Sequence, residues 1–230
     1  MTITRVKLIP REIIGMEFPE ATLLTTEQQA KYEEAVKSFA NSENARNNLN
    51  IPNKGSNLFK VIFLNQIGIR TATLPELDLI AETSPDFLRG TYEDAPAVVL
   101  RSVEDSNSNN GYIAKSLASL VRKRNFSHAV VIEGLKLKED SQSAYGLSFE
   151  KGDSFRVIEA PAFDHANNQK RFVRINQDYS VDFDDKGQRT FYTRQNGVSR
   201  LYLSWNLDAC SNVGNLAGSD DGGRVVLVSG

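Results

Sequence analysis

The chain has 230 residues, with 27 basic and 29 acidic side chains and a net charge of −2. This length suits one large domain, or one domain with an N-terminal extension, and can bury a core without metal. The balanced charge argues against a nucleic-acid binder that works by bulk electrostatics, and the single cysteine excludes an intrachain disulfide.

The chain shows no targeting or membrane signal. No apolar run approaches the ~20 residues of a membrane-spanning helix, and the first residues lack the apolar core and small-residue cleavage site of a secretory signal. We therefore expect no membrane insertion and a cytoplasmic location by default, with the final location unknown.

Residues 1–50 are predicted to form an N-terminal helical extension to a domain at 51–230. Thr25 or Thr26 can cap a helix over residues 27–40. The apolar side chains of this helix recur at helical spacing and form one stripe, namely Tyr32, Ala35, Val36 and Phe39. Residues 42–57 are polar and end in Pro and Gly, which is typical of a linker or long loop.

The next region alternates between element types. In chain order, the pattern predicts a strand at 58–66, a helix capped by Thr73 with Pro75 in its first turn, a strand at 96–103, a loop at 106–111, a helix at 112–124 and a strand at 129–135. The two helices have apolar stripes made of Leu74, Leu77, Ile80 and Ala81, and of Ile113, Leu117, Leu120 and Val121.

From Gly146 onward the helical period is lost, and short strands recur with turn residues between them. Residues 184–187, Asp-Asp-Lys-Gly, are predicted to be a hairpin turn that joins strands carrying Phe183 and Phe191. Helices early and an antiparallel strand series late predict the α+β class.

Few residues suggest catalysis or metal binding. The two histidines, His128 and His165, have no cysteine cluster beside them, which makes a zinc site a poor prediction. The acidic turn at Asp182, Asp184 and Asp185 lacks the third ligand position and the distant Glu of an EF-hand, so a hairpin explains it better than calcium. We expect no enzyme activity, no cofactor and no metal.

Residues 202–223 are unusual in composition. They are rich in Asn, Asp, Ser, Gly and Ala and contain no Lys, Glu, Gln or Met. Randomising only the adenines of AAC codons would exclude Lys, Glu, Gln and Met from the products, because the third base stays C. The codon of Trp205 can arise from an AGG codon by a change of its one adenine to thymine.

The C-terminal stretch resembles the variable region of diversity-generating retroelement variable proteins with a C-type lectin fold, of the archaeal type. The framework positions of that region correspond here to Ser199, Arg200, Leu201, Leu203, Leu207, Leu216, Ala217, Ser219, Gly223, Arg224, Val225, Val226 and Val228. The resemblance covers residues 50–230 and is strongest over 189–229. It implies a C-type lectin-like fold with two main helices and antiparallel sheets, and a variable region at about 202–223.

The resemblance implies a receptor- or adhesin-like binding protein, diversified by adenine-specific mutagenic retrohoming. The ligand is unknown and expected to be a protein, without nucleic acid, and the chain is expected to be a monomer. The implied ligand-binding residues are Tyr202, Ser204, Trp205, Ala209, Cys210, Val213, Gly214, Gly218, Asp220, Asp221 and Gly222.

The alternation of leucine with other residues along this stretch predicts which side chains are buried and which face solvent. Leu201, Leu203 and Leu207 are predicted to anchor the backbone in the core, while Tyr202, Ser204 and Trp205 face solvent. The competing hypothesis for Trp205, the single tryptophan, is an ordinary core residue.

Two alternatives for function stay open. The chain could be an undiversified structural or assembly module of a surface or particle complex. It could also be a catalyst like the formylglycine-generating enzymes, which share the lectin-type fold and use cysteines or metals.

Overall fold

A computed structural model describes residues 3–8, 19–51, 55–123, 125–218 and 222–229, and shows a mixed α+β fold. The described α-helices are α1 (Thr26–Phe39), α2 (Glu43–Leu49), α3 (Leu58–Gln66), α4 (Leu74–Thr83), α5 (Pro85–Leu88) and α6 (Gly111–Leu120). Short 3-10 helices lie at Ser108–Asn110, Pro161–Phe163 and His165–Asn167. The α+β class is confirmed, but the chain has more helices than the two main ones expected.

The described strands form two sheets. They are β1 (Arg5–Lys7), β2 (Glu20–Leu23), β3 (Tyr92–Leu100), β4 (Val130–Glu139), β5 (Leu147–Glu159), β6 (Lys170–Ile175), β7 (Val181–Phe183), β8 (Arg189–Thr193), β9 (Val198–Leu203), β10 (Ala209–Ser211), β11 (Gly223–Arg224) and β12 (Val226–Val228). The small sheet has the order β1-β2-β12, and the large one β5-β4-β3-β9-β10-β8-β6-β7, with β11 beside β3.

The expectation of antiparallel sheets is wrong at two pairings. β10 runs parallel to β8, and β11 runs parallel to β3, so the large sheet is mixed. β10 follows β9 through the short turn at 204–208 and lies between β9 and β8, whereas β11 follows a longer connection from β10.

Helices cover both faces of the large sheet. On β3, Val98 and Leu100 belong to one core and Ala97 and Val99 to the other, because successive strand residues point to opposite faces. The first core packs beneath α1, α2, α3 and α6, and the second beneath α4 and α5. Strands in the middle of this sheet are therefore buried on both sides.

The N-terminal helix forms as predicted, and the described part of its segment packs against the rest of the chain. Thr25 caps α1 through a capping box with Gln28. Tyr32 and Val36 are each 1% exposed within the first core. The β2 strand pairs with β12 near the other end of the chain, so this part of residues 1–50 packs with the rest.

The strand predicted at 58–66 is wrong, because these residues form α3. All side chains from Leu58 to Leu64, including Lys60, are buried. A helix buried all round has no polar face to reveal its 3.6-residue period, and its β-branched and aromatic residues resemble a strand. The Asn57 side chain caps the helix by accepting from Lys60 N at 2.8 Å.

Other local predictions are confirmed or corrected by the structure. Thr73 and Pro75 begin α4, and α6 forms with its predicted stripe but ends at Leu120. The linker predicted at 42–57 contains α2, capped by Ser42, and the loop predicted at 106–111 contains a 3-10 helix.

The turn at 184–187 exists, but it does not form a hairpin between its flanking strands. Gly187 N donates to Asp184 O at 2.8 Å. However, β7 and β8 lie on opposite sides of β6 and each pairs with it. The Phe183 and Phe191 rings still meet edge to face, with centroids 5.6 Å apart.

Candidate functional site

The candidate surface lies where β9 ends and where the chain passes through a turn, β10 and a loop. The turn comprises Ser204–Asp208, and the loop covers residues 212–218, after which the chain returns as β11 beside the first residues of β3. The turn lies at the C-terminal end of β9, and the loop reaches back to Asn107 and Asn110 near the other end of that strand before the chain returns to β3.

The framework residues in this segment are buried as expected. Leu201, Leu203 and Leu207 are 3% exposed or less, and the second core includes all three. Leu207 reaches the core through a left-handed backbone, with φ of 71°. These leucines fix both ends of the turn in the sheet.

Tyr202 does not face solvent, which corrects the prediction. It is 7% exposed, and on neighbouring strands it lies directly opposite Asp94 and Cys210. Cys210 is in turn opposite Tyr192, which makes a row of four side chains across β3, β9, β10 and β8. The alternation of residues along the strand failed as a guide because the Arg200 guanidinium and the Tyr92 ring pack against Tyr202 on this face.

Two ion pairs, each between a partly buried arginine and a buried carboxylate, link the base of the segment to β3. Arg200 Nη1 lies 2.8 Å from Asp94 Oδ1 and also donates to Gly218 O at 2.7 Å, while its guanidinium stacks over the Tyr202 ring. Arg224 Nη2 lies 2.9 Å from Glu93 Oε1. Both arginines are framework residues, and sequence alone gave no hint of their partners on β3.

Trp205 is exposed, as predicted, and the hypothesis of a core tryptophan is wrong. Its exposure is 61%, higher than that of the other exposed large hydrophobic residues described. The turn beneath it is held by Ser204 N, which donates to Asp208 O at 2.9 Å, and by Leu207 N, which donates to Ser204 O at 2.8 Å. Gly90 N also donates to Trp205 O at 2.8 Å.

Three further predicted surface residues are buried. Ser204, Ala209 and Cys210 are 7%, 1% and 5% exposed. Ala209 and Cys210 are buried because β10 lies between β9 and β8 in the sheet. Burial raises the pKa of the Cys210 thiol to about 12, against the opposing effect of a hydrogen bond from Tyr202. The thiol is therefore protonated at neutral pH.

The loop at 212–218 mixes accessible and fixed positions. Val213, Gly214 and Gly218 are half-buried, whereas Asn212 and Asn215 are exposed. Gly214 O accepts from the side-chain amides of Asn107 and Asn110, and a Cβ on Gly214 would lie 2.1 Å from Arg194 Nη1.

Sequence reasoning missed three exposed asparagines, Asn206, Asn212 and Asn215. It also missed Tyr92, whose ring centroid lies 6.1 Å from that of Tyr202 and whose backbone N donates to Gly222 O at 3.2 Å. The exposure of the asparagines could have been inferred from the Asn-rich composition of the segment. The position of Tyr92 beside Tyr202 could not, because Tyr92 is far away in sequence.

The remaining predicted residues lie at the return of the chain. Gly222 is half-buried and immediately precedes β11. Asp220 and Asp221, like the framework residue Ser219, lie outside the described residues.

The two histidines considered for catalysis or metal binding lie outside this surface. His128 Nδ1 lies 2.7 Å from Asp164 Oδ2, so this histidine orients a surface loop. Within the described ranges, no group of three His, Cys, Asp or Glu residues could hold a metal ion. No helix in the same ranges is long and apolar enough to cross a membrane.

Protein-family models, curated proteins and solved structures gave no match to this chain.

Proposed function

We propose that this protein binds a macromolecular ligand, most simply a protein, through the surface around Trp205, and that it performs no catalysis. The observation that carries the proposal is the 61% exposure of Trp205 on a turn whose backbone is hydrogen-bonded within itself and to Gly90. Tryptophan is enriched among the residues that contribute most of the binding energy at protein interfaces.

The neighbouring side chains suit protein recognition. Tryptophan gives a large contact area for little loss of side-chain entropy, and Asn and Gly give adaptable hydrogen bonds. We define the exposed rim as the accessible positions around the turn and loop, namely Trp205, Asn206, Asn212, Val213, Asn215, Gly218 and Gly222. Tyr202, Ser204, Ala209 and Cys210 form its buried floor.

We further propose that the scaffold is C-type lectin-like and that the rim is diversified by adenine-specific mutagenic retrohoming, as the family resemblance implies. Buried leucines and two ion pairs with buried carboxylates hold the backbone of the segment in place. Rim side chains can therefore change without disturbing the core. This separation is what a diversified surface requires.

The catalytic alternative has weaker support. Nucleophilic and metal-binding cysteines act as thiolates in accessible, electropositive surroundings, whereas Cys210 is buried and its pKa is raised to about 12. An undiversified assembly module would use the same rim with a fixed sequence, so the test below separates it from the proposal.

The experiment is deep sequencing of this gene and its flanking few kilobases across a natural population. We expect substitutions to cluster in the codons of the exposed rim, and a nearby near-copy to carry adenine wherever the gene varies. The codons of Leu203, Leu207 and Leu216 lie in the same stretch and serve as internal controls, which should stay constant. A fixed tail, or variation spread evenly with no near-copy, would refute diversification and favour the assembly module.

A further inference from the structure

A polar groove lies between the start of α4 and the β4–β5 hairpin. It consists of two adjoining clefts of about 560 Å³ and 740 Å³. Three residues line both clefts, Arg70, Thr73 and Arg156, and we call them the waist. None of the residues lining either cleft belongs to the segment 202–223, so the groove is distinct from the exposed rim.

Arg156 is held in place by a buried carboxylate. Its Nε donates to Glu133, which is 6% exposed and also accepts from the Tyr179 hydroxyl. Two donors fix the carboxylate, and the carboxylate fixes the guanidinium. The Arg156 side chain is nevertheless 57% exposed, and its Nη groups make no hydrogen bond within the described part of the chain.

Arg70 is oriented in the same way from the opposite wall. It pairs with Glu76, whose second oxygen accepts from Thr73 N at 2.9 Å and from Thr73 Oγ1 at 3.1 Å. The capping box of α4 thus also positions this arginine, whose side chain is 46% exposed. Each waist arginine uses one nitrogen on its carboxylate and keeps further donors accessible.

The backbone around the waist adopts conformations that few sequences allow. Gly134 has φ of 64°, and a Cβ there would lie 2.3 Å from the Ser154 carbonyl carbon. The register between β4 and β5 shifts at this point. Tyr179, which holds Glu133, is a buried non-glycine residue with φ of 64°. Bulges and left-handed non-glycine residues concentrate near functional sites because they redirect side chains.

We propose that the waist binds a small-molecule oxyanion, a carboxylate or a phosphate group, between the guanidinium groups of Arg70 and Arg156. Each waist arginine is paired with one carboxylate, Glu76 or Glu133, so the ligand would bind the guanidinium donors that these carboxylates leave accessible. The planar fork of arginine matches paired oxyanion oxygens. The clefts on either side leave room for the rest of the ligand.

The test is calorimetric titration of the full chain with sodium phosphate and with sodium succinate, using sodium chloride to hold ionic strength constant. We expect saturable binding of at least one anion, and the arm that responds identifies phosphate or carboxylate as the ligand group. Arg70→Gln and Arg156→Gln should each weaken it about tenfold or more, the loss expected for one charged hydrogen bond.

Arg171→Gln is the matched control, because Arg171 contacts Gln188 O and Thr190 Oγ1 outside both clefts and should bind as the parent does. Arg70→Lys keeps the charge but loses the fork, and it covers the case in which a Gln variant fails to fold. The proposal would be overturned if neither anion bound saturably, or if the parent and both waist variants bound with equal affinity.

Discussion

Replacing Tyr202 and Trp205 separately by alanine should give unequal losses of stability, although both aromatics lie in the same composition-biased segment. Tyr202 is 7% exposed and Trp205 61% exposed. Truncating a buried aromatic typically costs about 3–5 kcal/mol, and we expect Tyr202→Ala to fall in that range.

The expected loss for Trp205→Ala follows from its smaller buried area. A tryptophan can bury roughly 250 Å², so burial of about two-fifths removes roughly 100 Å² from water. Alanine and the backbone of the turn retain about half of that, which leaves a loss of ~1 kcal/mol at 25 cal/mol per Å². In a chain of this size ~1 kcal/mol shifts Tm by about 2–4 °C.

Urea unfolding followed by far-ultraviolet circular dichroism measures both free energies of unfolding. Intrinsic fluorescence is unsuitable, because Trp205 is the single tryptophan and one variant removes it. Equal losses in the two variants, or a larger loss for Trp205→Ala, would show that Trp205 is a packing residue and would remove the basis of the proposed rim.

Two more predictions concern the base of the same segment. Gly214→Ala should destabilise the fold by about 1–3 kcal/mol in urea unfolding, because its Cβ would lie 2.1 Å from Arg194 Nη1. The control Gly111→Ala, at the open start of α6, should not destabilise the fold. Equal losses in the two variants would contradict close packing of Gly214 against Arg194. Burial raises the pKa of Glu93 from 4.5 to about 7 against the opposing effects of a hydrogen bond from Thr91 and the charge of Arg224. The folded state therefore binds more protons than the unfolded state between these values, and stability should fall as pH rises from 4.5 to 7, by at most roughly 1.4 kcal/mol per pH unit. Glu93→Gln should lack this decline, and parallel pH profiles of the free energy of unfolding would refute the assignment.

The candidate site could be predicted only in part. The composition of residues 202–223 indicated an accessible segment, and Trp205 is accessible. Alternation then placed Tyr202 at the surface, and this was wrong because β9 is a central strand with both faces covered. A period of two along a strand tells which residues share a face, but it does not tell whether that face meets solvent.

Local signals by themselves determined the α+β class, the capped helices α1 and α4, the amphipathic helix α6 and the strands β3 and β4. Caps, proline positions and amphipathic stripes act within a few residues and can therefore be recognised along the chain. Only the tertiary structure decided that residues 58–66 are a helix, since full burial removes the amphipathic period. It also brought Asp94 to Arg200, Glu93 to Arg224 and Arg70 to the same groove as Arg156. Contacts between residues far apart in sequence depend on how the strands are ordered in the sheet, and no local pattern encodes that order.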